Sequence, residues 1–456
     1  MNDRITVILG AGATVDATHV STEFLTKKVI NNCQKYTISD NDTKSIVDEI
    51  CSGLQKMSKP DIVNFEVIYH ILELLLNYHP DNKSEQLFSY YDIFANLNSV
   101  FKNIDIANVF SSINAIINTV NDEIADYDVK FDTSDYFNKF FSVLSKKNIS
   151  LDVFNLNYDT WVEQSLQYYN DGYVNIPSSQ IVKRFDITEY LKQDDGHTVS
   201  HLHGQIHFEY PEFDIVQNNE YFKREEVYTL YKYNNYVDAK KHREQSIRTS
   251  DKTQYGNALF TSNIITGLMK NDKLLWNPFI AYHNKLVNSL LSNPNLIIIG
   301  YGFSDLYLNR LLLQYHNNFF DNKKTLIIDY IDKNKYNLAY NSPFDSAAKT
   351  KFTNYIFKKD GWYHYPKYDK GDFFLSNDNA VCIYKNGFRD TVNHHLDDIC
   401  NFFINDKVHK HISSCRISLK LSFRSVYISA TLLILFSEMI CRICSFATAI
   451  KNTPFR

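Results

Sequence analysis

The stretch that most constrains this chain is its opening, RITVILGAGATVDA at residues 4–17. The apolar run at 4–9 is typical of a buried parallel strand, and two glycines, Gly10 and Gly12, follow it closely. Glycine lets the backbone turn sharply and lets another group approach it. The turn therefore fits either tight packing between a strand and a helix or a loop that holds a phosphate. Val15 stands where the third glycine of a G-x-G-x-x-G fingerprint belongs, so both explanations stay open.

Strand-like apolar runs alternate with helical patterns along most of the chain. This alternation predicts an α/β fold with a doubly wound, mostly parallel, Rossmann-like sheet that carries large helical insertions. The strongest run is NLIIIGYG at 295–302. The predicted strands cover residues 4–9, 149–157, 201–208, 262–268, 295–302, 325–331 and 380–384.

The predicted elements indicate one large domain followed by a tail. We expect residues 1–405 to form the α/β domain, interrupted by a helical region at about 20–146 and a polar segment at about 209–260. The helical region includes DIVNFEVIYHILELLLNYHP, in which apolar residues recur at helical spacing. The polar segment is tyrosine-rich and weakly patterned, as an inserted lid would be. The basic tail, residues 406–456, forms the remainder.

Composition argues against several classes of protein. With 456 residues, a net charge of −4 and a pI near 6.4, the chain has no general reason to bind nucleic acid. Its seven cysteines are odd in number and widely scattered, which argues against a disulfide framework and for a reducing compartment. The N-terminus has no signal-peptide pattern, and we expect a cytoplasmic location.

The basic tail differs from the rest of the chain. From Lys407 onward it has eight basic residues and one acidic residue, Glu438, which gives a local net charge of +7. Its uninterrupted apolar part, 426–436, is about half of the ~20 residues that a bilayer-spanning helix needs. This length favours a buried or partner-facing helix over a membrane contact. Cys441 and Cys444 form a lone C-x-x-C, which is a weak metal signal, and we expect no metal.

Polar residues follow the first two predicted strands, at the edge where open parallel sheets bind ligands. After the first, a helix would begin at the glycine turn and direct its N–H groups at a diphosphate. After the second, Asn155, Asn157 and Asp159 come just before a predicted helix, where Thr160 and Glu163 have the spacing of a capping box. Helix capping explains one of these polar side chains well and three of them poorly.

Two later strands end in further polar groups. His201, His203 and His207 would share one face of the predicted third strand, which fits a metal site or ordinary core histidines. His203 differs from the others because Gly204 opens space beside it. After the strand at 295–302, a side chain caps the next helix and is also able to bond ribose hydroxyls. The candidates there are Gly300, Gly302, Ser304 and Asp305.

Together these motifs resemble the sirtuin superfamily. Residues 10–14 are similar to its glycine–alanine–glycine loop, 157–159 to its asparagine–x–aspartate segment, and 202–204 to its catalytic histidine motif. The chain is more similar still to the sirtuin-like NAD-hydrolysing proteins of bacterial phage defence. NFE at 64–66 and the run at 262–309 carry that closer resemblance.

The resemblance covers about residues 1–335, extends to 405 at its widest, and leaves out the basic tail. Sirtuin deacylases carry a zinc ribbon with two C-x-x-C pairs, whereas no cysteine lies between Cys51 and Cys382 here. Leu156 stands where the deacylases usually have glutamine. The resemblance therefore implies release of nicotinamide rather than removal of acyl groups.

The activity implied by the resemblance is hydrolysis of NAD⁺ to nicotinamide and ADP-ribose, with depletion of cellular NAD⁺ during phage infection. Asn157 would hold a ribose hydroxyl and the attacking water, and His203 would accept a proton. Asp159 would be their electrostatic partner or would orient the loop. The diphosphate would contact Gly10, Ala11, Gly12 and Thr14, and the adenosine side would contact Gly300, Gly302, Ser304 and Asp305.

Two other functions fit the same residues. One is a regulatory module that binds NAD⁺ or a related nucleotide and cleaves nothing, and the other is transfer of ADP-ribose to a macromolecule. An enzyme that depletes NAD⁺ must be silent in a healthy cell. We therefore expect a homo-oligomer, a regulatory partner protein of a defence system, or both.

Overall fold

The computed structural model describes most of the chain. It covers residues 4–39, 42–56, 63–78, 104–131, 136–147, 149–176, 179–192, 196–210, 229–241, 248–252, 258–267, 270–319, 323–331, 347–356 and 369–404. The chain divides into two compact units, Met1–Asp397 and Asp398–Arg456, and 398–404 are the described residues of the second. The basic tail and the expectations made for it lie outside the described residues.

Strands and helices alternate along this part of the chain. The strands are β1 (Arg4–Leu9), β2 (Ser150–Asn155), β3 (Tyr169–Asn170), β4 (Tyr173–Asn175), β5 (Val182–Phe185), β6 (His197–His201), β7 (Phe208–Glu209), β8 (Tyr231–Tyr233), β9 (Arg248–Lys252), β10 (Ala258–Thr261), β11 (Asn295–Ile299), β12 (Lys324–Ile328), β13 (Phe373–Leu375) and β14 (Val381–Tyr384). The helices are α1 (Gly12–Thr18), α2 (Thr22–Cys33), α3 (Ile46–Lys56), α4 (Phe65–Tyr78), α5 (Ile106–Asp128), α6 (Tyr136–Lys146), α7 (Trp161–Ser165), α8 (Ile187–Leu191), α9 (Tyr236–Lys241), α10 (Phe279–Ser292), α11 (Leu306–Asn318), α12 (Ala347–Ile356) and α13 (Phe388–Ile404). A 3₁₀ helix lies at Asn271–Leu275.

Eight strands form one mostly parallel sheet in the order β13-β14-β12-β11-β1-β2-β6-β3. β1 lies between β11 and β2 and is parallel to both. From β1 the chain builds outward through β2 and β6 on one side, and later through β11, β12 and β14 on the other. β13 is antiparallel to β14 at one edge. The predicted α/β class, with a doubly wound and mostly parallel Rossmann-like sheet, is confirmed.

Burial on both faces explains why the central strands could be found in the sequence. Every residue of β2 is buried, and so are the last five residues of β1. The side chains of Ile297, Ile298 and Ile299 in β11 are fully buried. A parallel strand covered by helices on both faces needs a continuous apolar run, which is the pattern that the sequence shows.

Helices occupy the described part of the helical region. α2, α3, α4 and α5 share a second cluster of buried hydrophobic side chains, which includes Val29, Ile68 and Ile117. In the polar segment, β8 belongs to a four-stranded antiparallel sheet of order β4-β5-β8-β7, and β9 and β10 pair antiparallel. Among the described helices, none has both the length and the apolar character needed to cross a bilayer.

Two predicted strands are wrong, and the errors matter for the site. β6 ends at His201, and the chain then forms a tight loop with Gly204 at φ +88° instead of a strand over 201–208. β10 ends at Thr261, and 262–267 is a loop joined to Gly204 by one isolated bridge at Ile264. Apolar runs this short do not distinguish strand from loop when a glycine interrupts them. The three histidines therefore do not share a strand face, because His201 ends β6 while His203 and His207 lie in the loop after it.

The turns after β1 and β11 pack backbone against backbone. The Gly12 N–H donates to the Gly300 carbonyl at 2.9 Å, and the Gly10 N–H donates to the Ile299 carbonyl at 2.9 Å. A Cβ on Gly10 would lie 2.6 Å from the Gly300 carbonyl oxygen, and a Cβ on Gly300 would lie 2.2 Å from the Ala13 nitrogen. Contact between the two turns is therefore one physical reason for these glycines.

We predict that Gly300→Ala destabilises the protein by about 3 kcal/mol, because Gly300 has a φ of +58° and no room for a Cβ. The matched control is Gly302→Ala, since nothing lies within 4 Å of a Cβ built on Gly302. The control should change stability by less than about 0.5 kcal/mol. Urea unfolding measures both variants, and equal stabilities would contradict the packing argument.

Candidate active site

Four loops meet at the carboxyl edge of the sheet, and hydrogen bonds join them. The Leu156 N–H, after β2, donates to the Leu9 carbonyl at 2.9 Å, and the Leu202 N–H, after β6, donates to the Asn155 carbonyl at 2.9 Å. The glycine turns after β1 and β11 complete the set. The structure thus brings the predicted loops together where an open parallel sheet binds its ligands.

The first loop differs from the expected row of free N–H donors. The N–H of Ala13 donates to the Gly10 carbonyl, and the N–H of Thr14 donates to the Ala11 carbonyl. The Thr14 hydroxyl also donates to that Ala11 carbonyl, at 3.3 Å. Together with Gly12, these donors are occupied within the turns. The exposed Ala11 keeps an N–H that bonds to no described residue.

Asn157 is held against the glycine turn. Its Nδ2 donates to the Gly10 carbonyl at 3.2 Å, and its own N–H donates to Asn155 Oδ1 at 2.9 Å. The side chain is almost entirely buried. The amide at 157 is therefore in direct contact with the turn at 10–12.

His203 lies beside Asp305, which joins the loops after β6 and β11. His203 Nε2 is 3.6 Å from Asp305 Oδ2. Asp305 is also the N-cap of α11, because its Oδ1 accepts the Leu308 N–H at 3.0 Å. The sequence placed Asp305 on the adenosine side, and the structure places its carboxylate next to the predicted catalytic imidazole instead.

The pKa values of His203 and Asp305 are both lowered, which leaves the imidazole neutral and the carboxylate charged. Burial lowers the pKa of His203 below its usual range, the charge of Lys270 lowers it further, and Asp305 opposes both effects. Burial alone would raise the pKa of Asp305, but hydrogen bonding to His203 and to the Leu308 N–H lowers it well below its usual range. Near pH 7 the pair is therefore a neutral imidazole facing an ionised carboxylate.

Asp159 bonds to a helix residue and to the backbone of its own loop. Its Oδ2 accepts the Tyr127 hydroxyl at 3.1 Å, and its Oδ1 accepts the Trp161 N–H at 3.2 Å. Burial, and then the nearby charge of Asp128, raise the pKa of Asp159 to about 7, and burial raises that of Asp128 to about 6. The contacts that are seen orient the loop, and they do not reach His203.

The predicted capping box at Thr160 is wrong. Thr160 is the N-cap of α7, but its hydroxyl donates to Asp128 Oδ2 at 2.8 Å instead of capping the helix. Glu163 instead binds His201, at 2.8 Å, and other polar groups. The buried carboxylate of Asp128 on a distant helix competes for Thr160, which no local pattern reveals.

The rim of the site contains the two remaining candidates. Gly302 and Ser304 are exposed between the half-buried Gly300 and Asp305. The Ser304 hydroxyl bonds to no residue in the described part of the chain. Both are therefore accessible to a ligand at this edge.

Sequence reasoning missed three groups around His203. His283 on α10 donates through Nε2 to the Leu202 carbonyl at 3.4 Å, and burial and His203 lower its pKa to about 4. Lys270 pairs with Glu66 at 3.0 Å. Glu66 lies in the NFE motif, which was noted without a role, whereas nothing in the sequence singled out His283 or Lys270. Among the described residues, no three metal-binding side chains cluster.

The fold and the site define an α/β protein with polar groups gathered at the carboxyl edge of a doubly wound sheet. No family model and no curated protein matches the chain. Among solved structures it is similar to Sir2Tm bound to a propionylated peptide, with 10% identity over 74% of this chain and 84% of that chain and a TM-score of 0.30.

Two further structures show the same degree of similarity. A Sir2 homologue mutant in complex with 2'-O-acetyl ADP ribose has 9% identity over 88% of this chain and 93% of that chain, with a TM-score of 0.34. A structure concerned with the mechanism and regulation of Sir2 enzymes has 9% identity over 77% and 90%, with a TM-score of 0.31. The strand order and register of the chain's own sheet define its fold.

We predict that Asp159→Asn stabilises the protein more at pH 8 than at pH 5, by a difference of at least about 1 kcal/mol. The folded-state pKa of Asp159, about 7, exceeds the unfolded value of roughly 3.9, so wild-type stability falls as pH rises between them. The exposed Asp126→Asn on the same helix as Asp128 is the control. Urea unfolding at both pH values measures the effect, and a pH-independent difference would contradict it.

Proposed function

We propose that this protein hydrolyses NAD⁺ at the nicotinamide–ribose bond and releases nicotinamide and ADP-ribose. The observation that carries the proposal is the meeting of the Asn157 amide, the glycine turn after β1 and the His203–Asp305 pair at one edge of the sheet. These residues match the motifs that resemble the sirtuin-like NAD hydrolases. Their arrangement provides an amide, a neutral base and a carboxylate at the edge of the sheet where the glycine turns lie.

Cleavage of this bond forms an oxocarbenium-like ribose, and the nicotinamide leaves as a neutral molecule from a cationic ring. The site therefore needs no general acid. It needs a positioned ribose, a stabilising negative charge and a water on the open face. Asn157 holds the ribose hydroxyl and the water, while the Asp305 carboxylate supplies the nearest negative charge to His203.

His203 accepts the proton that the ribose hydroxyl or the attacking water releases. It is neutral near pH 7, because burial lowers its pKa. Since Asp305 faces Nε2, it favours the tautomer that carries the proton there, which leaves Nδ1 free as the base. In this role Asp305 replaces Asp159 as the partner of the imidazole, and Asp159 orients the Asn157 loop.

The phosphates are bound at the turns. The Ala11 N–H is the available donor of the first turn, between Gly10 and Gly12 and close to Thr14 in the first turn of α1. On the adenosine side, the exposed Gly302 and Ser304 lie beside Gly300 and leave room for a ribose. NAD⁺ is the substrate, and no metal takes part in the proposed reaction.

The biological role that we propose is depletion of cytoplasmic NAD⁺ during phage infection. Its support is the resemblance at 64–66 and 262–309 to the defence proteins. Control by a homo-oligomer or by a regulatory partner protein belongs to this proposal, because uncontrolled hydrolysis would kill a healthy cell.

We predict that Asn157→Ala and His203→Ala each lower nicotinamide release by about 10²–10³-fold, since each removes a group that acts in the transition state. Purified protein is incubated with NAD⁺ and with extract of infected cells, and nicotinamide is measured by chromatography. The control is His394→Ala, an exposed histidine on α13. Full activity in both site variants would contradict the assignment, and tight NAD⁺ binding without any product would favour the non-catalytic module.

We predict that the kcat of the wild type rises with pH through an inflection below 6.5 and is level above it, because His203 must lose its proton to act as a base. Asp305→Asn should move the inflection to lower pH, since the carboxylate that raises the pKa is lost. It should also lower the plateau about tenfold, because the tautomer is no longer fixed. A pH–rate profile with an unchanged inflection would exclude the His203–Asp305 pairing.

A further inference from the structure

One helix of the inserted region, α5, bonds to both of the loops that surround the proposed catalytic residues. In its last two turns, Asn121 and Asp128 are both buried. They are seven residues apart, which places them on the same face of the helix. Short polar side chains such as these are costly to bury without hydrogen-bond partners. The partners of these two side chains therefore show what this face of α5 holds in place.

Asn121 forms a reciprocal pair of amide hydrogen bonds with Asn263. Asn121 Nδ2 donates to Asn263 Oδ1 at 3.0 Å, and Asn263 Nδ2 donates to Asn121 Oδ1 at 3.0 Å. Asn263 Nδ2 also donates to the Gln205 carbonyl at 3.3 Å. Since a carbonyl only accepts, this third bond decides which end of the Asn263 amide is the donor, and the pairing then decides the orientation of Asn121.

The segment around Asn263 holds the loop of His203. The His203 carbonyl accepts the Ile265 N–H at 2.7 Å, and the Asn263 carbonyl accepts the Gln205 N–H at 3.3 Å. A Cβ on Gly204 would lie 2.1 Å from the Asn263 carbonyl oxygen, so the two backbones are in direct contact. The backbone of the proposed base is therefore bonded to the same segment that α5 binds.

Asp128 holds the loop of Asn157 in a comparable way. Its Oδ1 accepts the Thr160 N–H at 2.7 Å, and its Oδ2 accepts the Thr160 hydroxyl at 2.8 Å. Next to it on α5, the Tyr127 hydroxyl donates to Asp159 Oδ2 at 3.1 Å. Asp159 and Thr160 follow Asn157 by two and three residues, so these bonds fix the end of its loop.

The helix α5 is itself held in place. Asn32 Nδ2 on α2 donates to Thr119 Oγ1 at 2.9 Å, and Lys28 on α2 pairs with Glu123 at 2.8 Å. The apolar side chains of α5 lie in the second hydrophobic cluster, together with those of α2, α3 and α4. A helix that is packed and bonded in this way is able to transmit its position to the loops that it contacts.

We infer that α5 positions both catalytic loops, with Asn121 acting on the loop of His203 and Asp128 on the loop of Asn157. Both are positioning residues, because each acts through a second residue. The positioning role rests on the proposed function, whereas the hydrogen bonds that carry it do not. The inserted helical region then supports the site from within the molecule, in addition to flanking the sheet.

Hydrogen–deuterium exchange of the full chain, measured without NAD⁺, tests the two links. Asn121→Ala should speed exchange about tenfold in peptides that cover 202–206 and 262–266, because Asn263 loses its partner. Asp128→Ala should speed it similarly in the peptide that covers 157–161. Asn121→Ser and Asp128→Asn, which keep part of the polar group, should show smaller changes in the same peptides and replace an alanine variant that fails to fold.

The matched control for exchange is Asn108→Ala. Asn108 lies on the same helix, and its amide donates to the Thr37 carbonyl at 3.1 Å instead of to a catalytic loop. This variant should leave exchange unchanged in the peptides that cover the catalytic loops. Exchange as slow as in the wild type in the folded variants at 121 or 128 would overturn the inference.

Kinetics test the positioning role. Asn121→Ala and Asp128→Ala should each lower kcat about tenfold while KM for NAD⁺ changes less than about threefold, and Asn108→Ala should change neither. Because Asn121 acts through Asn263, Asn121→Ala in an Asn263→Ala background should lower kcat less than about twofold further. Equal losses in the two backgrounds would overturn the role of Asn121. A wild type that never cleaves NAD⁺ would contradict the proposed function and the positioning role, but not the links that exchange measures.

Discussion

The contact between the turns after β1 and β11 is the constraint on which the rest of the site depends. Gly12 and Gly300 meet through a 2.9 Å backbone hydrogen bond, at a separation that leaves no room for a Cβ on either side. This close approach sets the position of Gly10, whose carbonyl receives the Asn157 amide. It also begins the segment that ends at Asp305 beside His203. One steric requirement therefore fixes both halves of the candidate site.

The sheet could be predicted because its strands are buried on both faces and read as continuous apolar runs. The same signal failed at 201–208 and 262–268, where short apolar runs belong to loops that pack on each other through Gly204 and Ile264. Contacts between segments that are distant in sequence make these runs loops, and a local sequence pattern carries no information about such contacts. The positions of Asn157 and His203 at the carboxyl edge followed from the order of strands and motifs.

The contacts between side chains were harder to predict from the sequence than the strands or the positions of the loops. Asp159 was expected to be an electrostatic partner within the site or to orient its loop. Its carboxylate turns toward α5, and Asp305 is the carboxylate that lies beside the imidazole. His203 and Asp305 are too far apart in the sequence for any local pattern to predict that they pair. His283 and Lys270 escaped notice for the same reason, since a single histidine or lysine in a helical pattern has no signature of its own. Glu163 resembled a helix cap and is part of a buried ionic cluster.

The ion pair between Lys270 and Glu66 links the electrostatic environment of His203 to the helices that flank the sheet. Glu66 lies on α4, and the charge of Lys270 lowers the pKa of His203. Any displacement of α4 relative to the sheet changes how much of that charge is neutralised. The proton affinity of this imidazole is thus coupled, through a single ion pair, to the position of a helix in the second hydrophobic cluster.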